Sequence, residues 1–194
     1  MPMLRLPNIL TVFRIALVPF FVIAFWLPGE TARLIAFAIF CVAGISDALD
    51  GLAARKFNAG SDFGRMLDPI ADKILVGVAL MMLVAEGSFD GWKLIPALVI
   101  LAREILVSGL REFLAGADVS VPVSFFAKIK TAIQMFAIGA MILGPMVDKV
   151  MPGALAFAYG TLWVAAGLTV ATGYVYLRAG LAHARSRREG ETAA

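Results

Sequence analysis

Long apolar runs, broken at intervals by short polar clusters, organise this chain. A helix needs ~20 residues to cross the hydrocarbon core of a bilayer. Windows of about 19 residues pick out six such runs: Asn8 to Pro28, Thr31 to Arg55, Pro69 to Ala85, Lys93 to Phe113, Ile129 to Val147 and Pro152 to Leu177. Gly29-Glu30, Glu86 to Gly91 and Asp148 to Met151 then connect helices on one side. The N-terminus, the Lys56 to Asp68 and Leu114 to Lys128 loops and the tail lie on the other. The pattern predicts an all-α integral membrane protein of six transmembrane helices, forming one membrane domain over residues 1–194. Nothing in it resembles a linker or a second, soluble domain.

Composition agrees. The chain is 61% hydrophobic and 16% charged, whereas soluble domains sit near half apolar and about a quarter charged. The net charge of +3 would suit nucleic acid if it were clustered, but the cations sit at helix ends and in Arg185, Arg187 and Arg188, where they serve topology and anionic lipid. We expect no nucleic-acid partner. Of seventeen Lys and Arg, only Arg33, Lys93 and Lys149 fall on the first side. By the positive-inside rule the second side is cytoplasmic, so both termini are expected to face the cytoplasm. Arg5 precedes an apolar run, yet Arg14 interrupts it and no small-residue cleavage site follows, so the first run is expected to stay as a span. Cys41 has no disulfide partner in the chain and reads as packing.

The charges inside the spans change the picture most. Arg14, then Asp47 and Asp50, then Asp72 and Lys73, then Arg103 and Glu104 interrupt the first four runs, each near its cytoplasmic end. Ionisable groups facing lipid cost several kcal/mol, so they turn inward. Four helices thereby point charge toward one polar chamber open to the cytosol.

The segment SDALDGLAARKFNAGSDFGRMLDPIADK, Ser46 to Lys73, carries the chemistry. Asp47 and Asp50 are three apart and Asp68 and Asp72 four apart, so each pair shares a helix face. Asn58, Gly60, Ser61 and Gly64 mark a turn that lets the two helices fold back. Four carboxylates brought together repel one another, and divalent cations relieve the repulsion. Hard oxygens favour Mg²⁺ or Mn²⁺, and two such ions can hold the attacking and leaving oxygens of a phosphoryl transfer. Arg55 offers a fork for phosphate, while Gly51 and Ala54 keep a helix face thin. Asp62 fits an ordinary solvated loop acid.

Asp47, Asp50, Gly51, Ala54, Arg55, Gly64, Asp68 and Asp72 match D-x2-D-G-x2-A-R-x8-G-x3-D-x3-D without a gap. With each fixed residue at a frequency of about a twentieth, chance agreement is on the order of 10⁻¹⁰ per start. The segment resembles the signature of the CDP-alcohol phosphatidyltransferases. The resemblance implies six transmembrane helices, a homodimer, two divalent cations and CDP-diacylglycerol as donor, with CMP leaving. It implies that Asp47, Asp50, Asp68 and Asp72 hold the metals, that Asp72 is also the base for the acceptor hydroxyl, and that Asp47, Gly51, Ala54 and Arg55 bind the CDP group.

The acceptor must be read elsewhere. Asn8, Thr11 and Arg14 follow one another at helical steps; Arg103 and Glu104 precede Arg111; Lys128, Lys130 and Thr131 open the fifth run. These cations exceed what a pyrophosphate with two metals needs, and they point to an acceptor bearing its own phosphate. Thr11, Arg14, Arg103, Arg111, Lys128 and Lys130 are the candidates for that phosphate, with Glu104 a counter-charge to Arg103. The runs PNILTVFR, AREILVSGLRE and AKIKT resemble the branch of the family that uses sn-glycerol 3-phosphate to make phosphatidylglycerophosphate. Ala127 departs from it, standing where that branch often has Gly. Acceptors of related enzymes (inositol phosphate, serine or, for a cardiolipin synthase, a second lipid) are the alternatives. A cation or proton transporter is a further one, though its acids would sit near the midplane of two related halves, and here they sit at one end. His183 is expected to be solvated in the tail, which is expected to fray beyond Arg178. Trp26, Trp92 and Trp163 include interfacial anchors.

Overall fold

The structure is a computed structural model that describes the backbone of residues 6–57, 62–117, 119 and 125–192. Among these residues there are six α-helices and no strand: α1 Leu6–Trp26, α2 Glu30–Phe57, α3 Asp62–Ala85, α4 Ile95–Gly116, α5 Phe125–Val147 and α6 Ala154–Thr192. Each overlaps one run read from the hydropathy pattern. Three features differ from the sequence expectation. Helix α3 starts at Asp62, so Gly64, expected in the turn, lies inside the helix; Asn58, Gly60 and Ser61 lie outside the described residues. Helix α6 continues to Thr192, because Arg, Ala, Leu and Glu in the tail are good helix formers even in water. His183 meets the ring of Phe113 edge-on, with centroids 6.3 Å apart, tying the tail to α4.

Local chemistry explains the turns. After α3, Ser88 N–H donates to the Leu83 carbonyl and Gly87 N–H to the Val84 carbonyl, both at 3.0 Å. With Gly87 at φ +82°, this is a Schellman ending. A short 3₁₀ turn, Gly91–Leu94, leads into α4, where Pro96 occupies a first-turn position whose missing N–H costs nothing. Before α6, the Asp148 carboxylate accepts from Gly153 N–H at 2.9 Å and Leu155 N–H at 3.1 Å.

Helix α1 packs against α2 and α3, α5 joins α2 to α6, and α6 also covers α4. Small residues make close approach possible: Ala24, Ala36, Ala43, Ala79, Ala137, Ala158, Ala165 and Ala166 are all buried between larger neighbours such as Phe21, Phe40, Leu83, Ile138 and Leu162. Small interfacial residues are the mark of helix packing in lipid. The exterior is correspondingly apolar, with Phe20, Ile23, Ile45, Met81, Ile105 and Val164 exposed, while Asn8, Thr11, Arg14, Lys130, Gln134 and Thr169 are buried. A water-soluble chain would reverse that arrangement. By length and composition, Asn8–Trp26, Lys128–Val147 and Ala154–Ala184 can each cross a bilayer, and Lys73–Ala85 is a shorter apolar stretch. This is a membrane protein.

Candidate active site

The acidic signature sits on two helices that flank residues 58–61. Asp47 and Asp50 belong to α2, and Asp68 and Asp72 to α3. At ~1.5 Å rise per residue, Asp50 and Asp68 lie ~9–11 Å from the facing helix ends, and Asp47 and Asp72 both lie ~15 Å from them. The two pairs therefore sit at matching distances along their helices. The α1 helix packs on both. The side chains of Asp50, Gly51, Ala54, Arg55, Asp68 and Asp72 lie outside the described residues. Their donor set, carboxylate oxygens without His or Cys, suits hard divalent cations.

Asp47 is described, and its partner is informative. The Arg14 guanidinium, 1% exposed, reaches from α1 to Asp47 Oδ1 at 2.9 Å, while the Asp47 side chain remains 45% exposed. Thr11 and Asn8, about one and two turns before Arg14, are buried on the same helix. Sequence spacing offered Thr11 and Arg14 to an acceptor phosphate; the structure shows that Arg14 also pairs with the first acidic residue of the signature. A guanidinium buried in an apolar bundle needs a nearby anion, and Asp47 supplies it from α2.

A second polar cluster joins α4, α5 and α6. Lys130 Nζ donates to Glu104 Oε1 in a short contact, and an Arg103 NH donates to the same oxygen at 3.4 Å. Arg103 is also fixed from α6: its Nε donates to the Thr169 carbonyl at 3.1 Å and another NH donates to Thr172 Oγ1 at 3.0 Å. The Thr172 hydroxyl donates in turn to the Leu168 carbonyl at 2.8 Å. Gly173 makes room for Arg103, since a Cβ there would stand 3.2 Å from Arg103 Cγ. Lys73, next to Asp72 on α3, lies within electrostatic reach of Lys130.

Among the described residues two cations share one carboxylate here, so these three side chains carry a surplus positive charge. Arg103 and Lys130 are thus brought together as expected, and Glu104 serves Lys130 more closely than Arg103. Arg111 and Lys128 are exposed and remain apart from the buried cluster, though Arg111 is within electrostatic reach of Arg103. The sequence reading missed Thr169, Thr172 and Gln134. Among the described residues, Gln134 Oε1 and Thr169 Oγ1 are buried without a hydrogen-bond partner. The available signal was weak: polar side chains in apolar runs, Gln134 one turn beyond Lys130, and Thr169 and Thr172 at a three-residue step.

Comparison with known proteins adds the chemical context. The family model for CDP-alcohol phosphatidyltransferase matches residues 4–172. A protein of Rickettsia bellii named CDP-diacylglycerol–glycerol-3-phosphate 3-phosphatidyltransferase is 48% identical over 175 residues, covering 90% of this chain and 94% of that protein. Proteins of the same name from Pectobacterium atrosepticum (43% over 177 residues, 90% and 94% covered) and Salmonella typhimurium (43% over 164 residues, 82% and 90% covered) are also similar.

Proposed function

Because this chain belongs to the CDP-alcohol phosphatidyltransferases, a family of transferases in phospholipid synthesis, we propose that it moves the phosphatidyl group of CDP-diacylglycerol onto sn-glycerol 3-phosphate. The products are phosphatidylglycerophosphate and CMP. The observation that carries the choice of acceptor is the buried Arg103–Glu104–Lys130 cluster, whose surplus positive charge suits an acceptor with its own phosphate. The names of relatives 43% and 48% identical support the same reading.

In this reading Asp47, Asp50, Asp68 and Asp72 hold two divalent cations, Mg²⁺ or Mn²⁺. When bound, the ions would neutralise the pyrophosphate and the leaving CMP. Gly51, Ala54 and Arg55, with Asp47, receive the CDP group. Arg14 fixes the carboxylate of Asp47 through their 2.9 Å contact. Asp72 accepts the proton of the acceptor hydroxyl as its oxygen bonds to the β-phosphorus, and the bond from that phosphorus to the CMP oxygen breaks. Arg103 and Lys130 hold the acceptor's phosphate, with Thr11 and Arg14 at the other wall. Arg111 and Lys128 draw the anion in from the cytosol.

The same reading places six transmembrane helices around a chamber open to the cytoplasm, with both termini on that side of a bacterial inner membrane. Fourteen of seventeen cations on one side of the spans support it. We propose a homodimer, as in the family. Purified protein given CDP-diacylglycerol and, in turn, glycerol 3-phosphate, inositol phosphate, serine and phosphatidylglycerol tests the acceptor. Product from another acceptor, and none from glycerol 3-phosphate, would overturn it.

A further inference from the structure

Two polar side chains near the Arg103–Glu104–Lys130 cluster stay outside its hydrogen bonds. Gln134, on α5, is 2% exposed, and Thr169, on α6, is fully buried. Among the described residues, Gln134 Oε1 and Thr169 Oγ1 have no hydrogen-bond partner. Burying a polar atom without a partner costs stability. A threonine in a membrane helix commonly meets the need from its own backbone. Thr161 and Thr172 of the same helix do so, donating to the Phe157 and Leu168 carbonyls at 2.9 Å and 2.8 Å. Thr169 does not.

The helix register places both atoms at the depth of the acidic signature. Helices α5 and α6 are antiparallel, with Gly144 against Leu155; carried along both helices, that pairing brings Thr169 level with Lys130. The Thr169 carbonyl accepts from Arg103 Nε at 3.1 Å, so its side chain stands beside the guanidinium. Gln134 follows Lys130 by one turn, on the same face of α5. Helices α2 and α5 are antiparallel too, with Gly44 against Met135 and Phe37 against Gly139. Asp47 is thereby level with the stretch between Lys130 and Gln134. One unpartnered oxygen thus accompanies each of the two buried cations.

We propose that Gln134 and Thr169 are specificity residues for the acceptor: Gln134 Oε1 accepts from its secondary hydroxyl, and the Thr169 hydroxyl donates to its phosphate beside Arg103. The inference rests on the proposed transfer to sn-glycerol 3-phosphate. That acceptor carries a primary hydroxyl, which attacks, and a secondary one, which the reaction leaves free. Arg103 and Lys130 read only charge, so they hold any small phosphate ester equally well. A neutral oxygen fixed one turn beyond Lys130 adds the missing selection. A hydroxyl there satisfies it, whereas an acceptor without that hydroxyl leaves it buried and unpaired. Sites built to bond a substrate hydroxyl reject the analogue lacking it for this reason.

The test reads CMP release with sn-glycerol 3-phosphate and with 3-hydroxypropyl phosphate, which lacks only the secondary hydroxyl. Wild type is expected to favour the first in kcat/KM by about tenfold or more. Gln134→Leu should lower kcat/KM for glycerol 3-phosphate by about tenfold while moving 3-hydroxypropyl phosphate less than about threefold, so that the preference disappears. Thr169→Val, which keeps the side-chain shape, should raise KM for both acceptors by the same factor, about three- to tenfold. Thr161→Val, at a threonine bonded to its own backbone, should change neither constant.

A thermal melt in detergent separates this role from packing. Replacing an unpaired buried amide by an apolar side chain costs the fold nothing, so Gln134→Leu should melt at or above wild type. Equal kcat/KM for the two acceptors in wild type, or a preference that survives Gln134→Leu, would overturn the proposal. A variant that fails to fold would overturn it too, because Gln134 would then be a structural partner. Wild type that releases no CMP with either acceptor would instead overturn the transfer reaction on which the inference rests.

Discussion

Replacing Lys130 by Met keeps most of the side-chain stem and deletes the charge. The wild-type cluster has two cations against Glu104, and Lys130 is 5% exposed. The variant leaves Arg103 and Glu104 together at 3.4 Å, with no surplus charge for a phosphate. For a phosphate charge ~5 Å from the ammonium, an effective dielectric of about 20 gives ~3 kcal/mol per unit charge. At ~1.4 kcal/mol per decade, that is on the order of a hundredfold. The KM for glycerol 3-phosphate should rise by about that factor, while the KM for CDP-diacylglycerol moves less than about threefold. Glu104 keeps Arg103 as a partner, so the fold survives, as a thermal melt in detergent would check. Lys130→Arg should recover part of the loss. CMP release measured against each substrate separates the two constants. Equal effects on both, or none on either, would refute a phosphate role for the cluster.

Other consequences follow from the same geometry. Asp72→Asn should bind CDP-diacylglycerol normally and lose turnover by ~10²–10⁴, the usual worth of a positioned base, as binding and CMP release measured side by side would show. Chelation by EDTA should abolish CMP release, and Mg²⁺ or Mn²⁺ should restore it; full activity after exhaustive chelation would remove the metal role of the Asp signature. Gly173→Leu should push Arg103 off Thr172, because even a Cβ there stands 3.2 Å from Arg103 Cγ. We expect KM for the acceptor to rise by about tenfold, the effect of roughly one lost charged hydrogen bond. Gly87→Val should cost ~1–3 kcal/mol by forcing a β-branched residue to a positive φ, lowering the melting temperature while leaving kcat near wild type.

The helices were legible because lipid imposes a simple rule: every spanning backbone group bonds within its own segment, and apolar runs of sufficient length announce it. Their ends were less so. Gly64 was expected in a turn, yet a helix penalty of about 1 kcal/mol is small enough for α3 to run through it from Asp62. The acidic signature was legible because its residues stand at fixed helical steps that match the family's motif. The ion pair of Arg14 was not legible: a three-residue stripe shows which face points inward, but not that the neighbouring helix brings Asp47 within 2.9 Å. Thr169 and Thr172 escaped notice because a Thr in a membrane helix commonly bonds its own backbone. Only the fold shows that Arg103, sixty-six residues away from Thr169, leans on that segment.

The most direct test of the account is a single stoichiometric assay. Purified protein in detergent, with Mg²⁺, CDP-diacylglycerol and sn-glycerol 3-phosphate, is followed for CMP and for lipid product together. The account predicts one phosphatidylglycerophosphate formed for each CMP released, with no release when glycerol 3-phosphate is left out. CMP released without that lipid, or formed equally well in the absence of the acceptor, would contradict it.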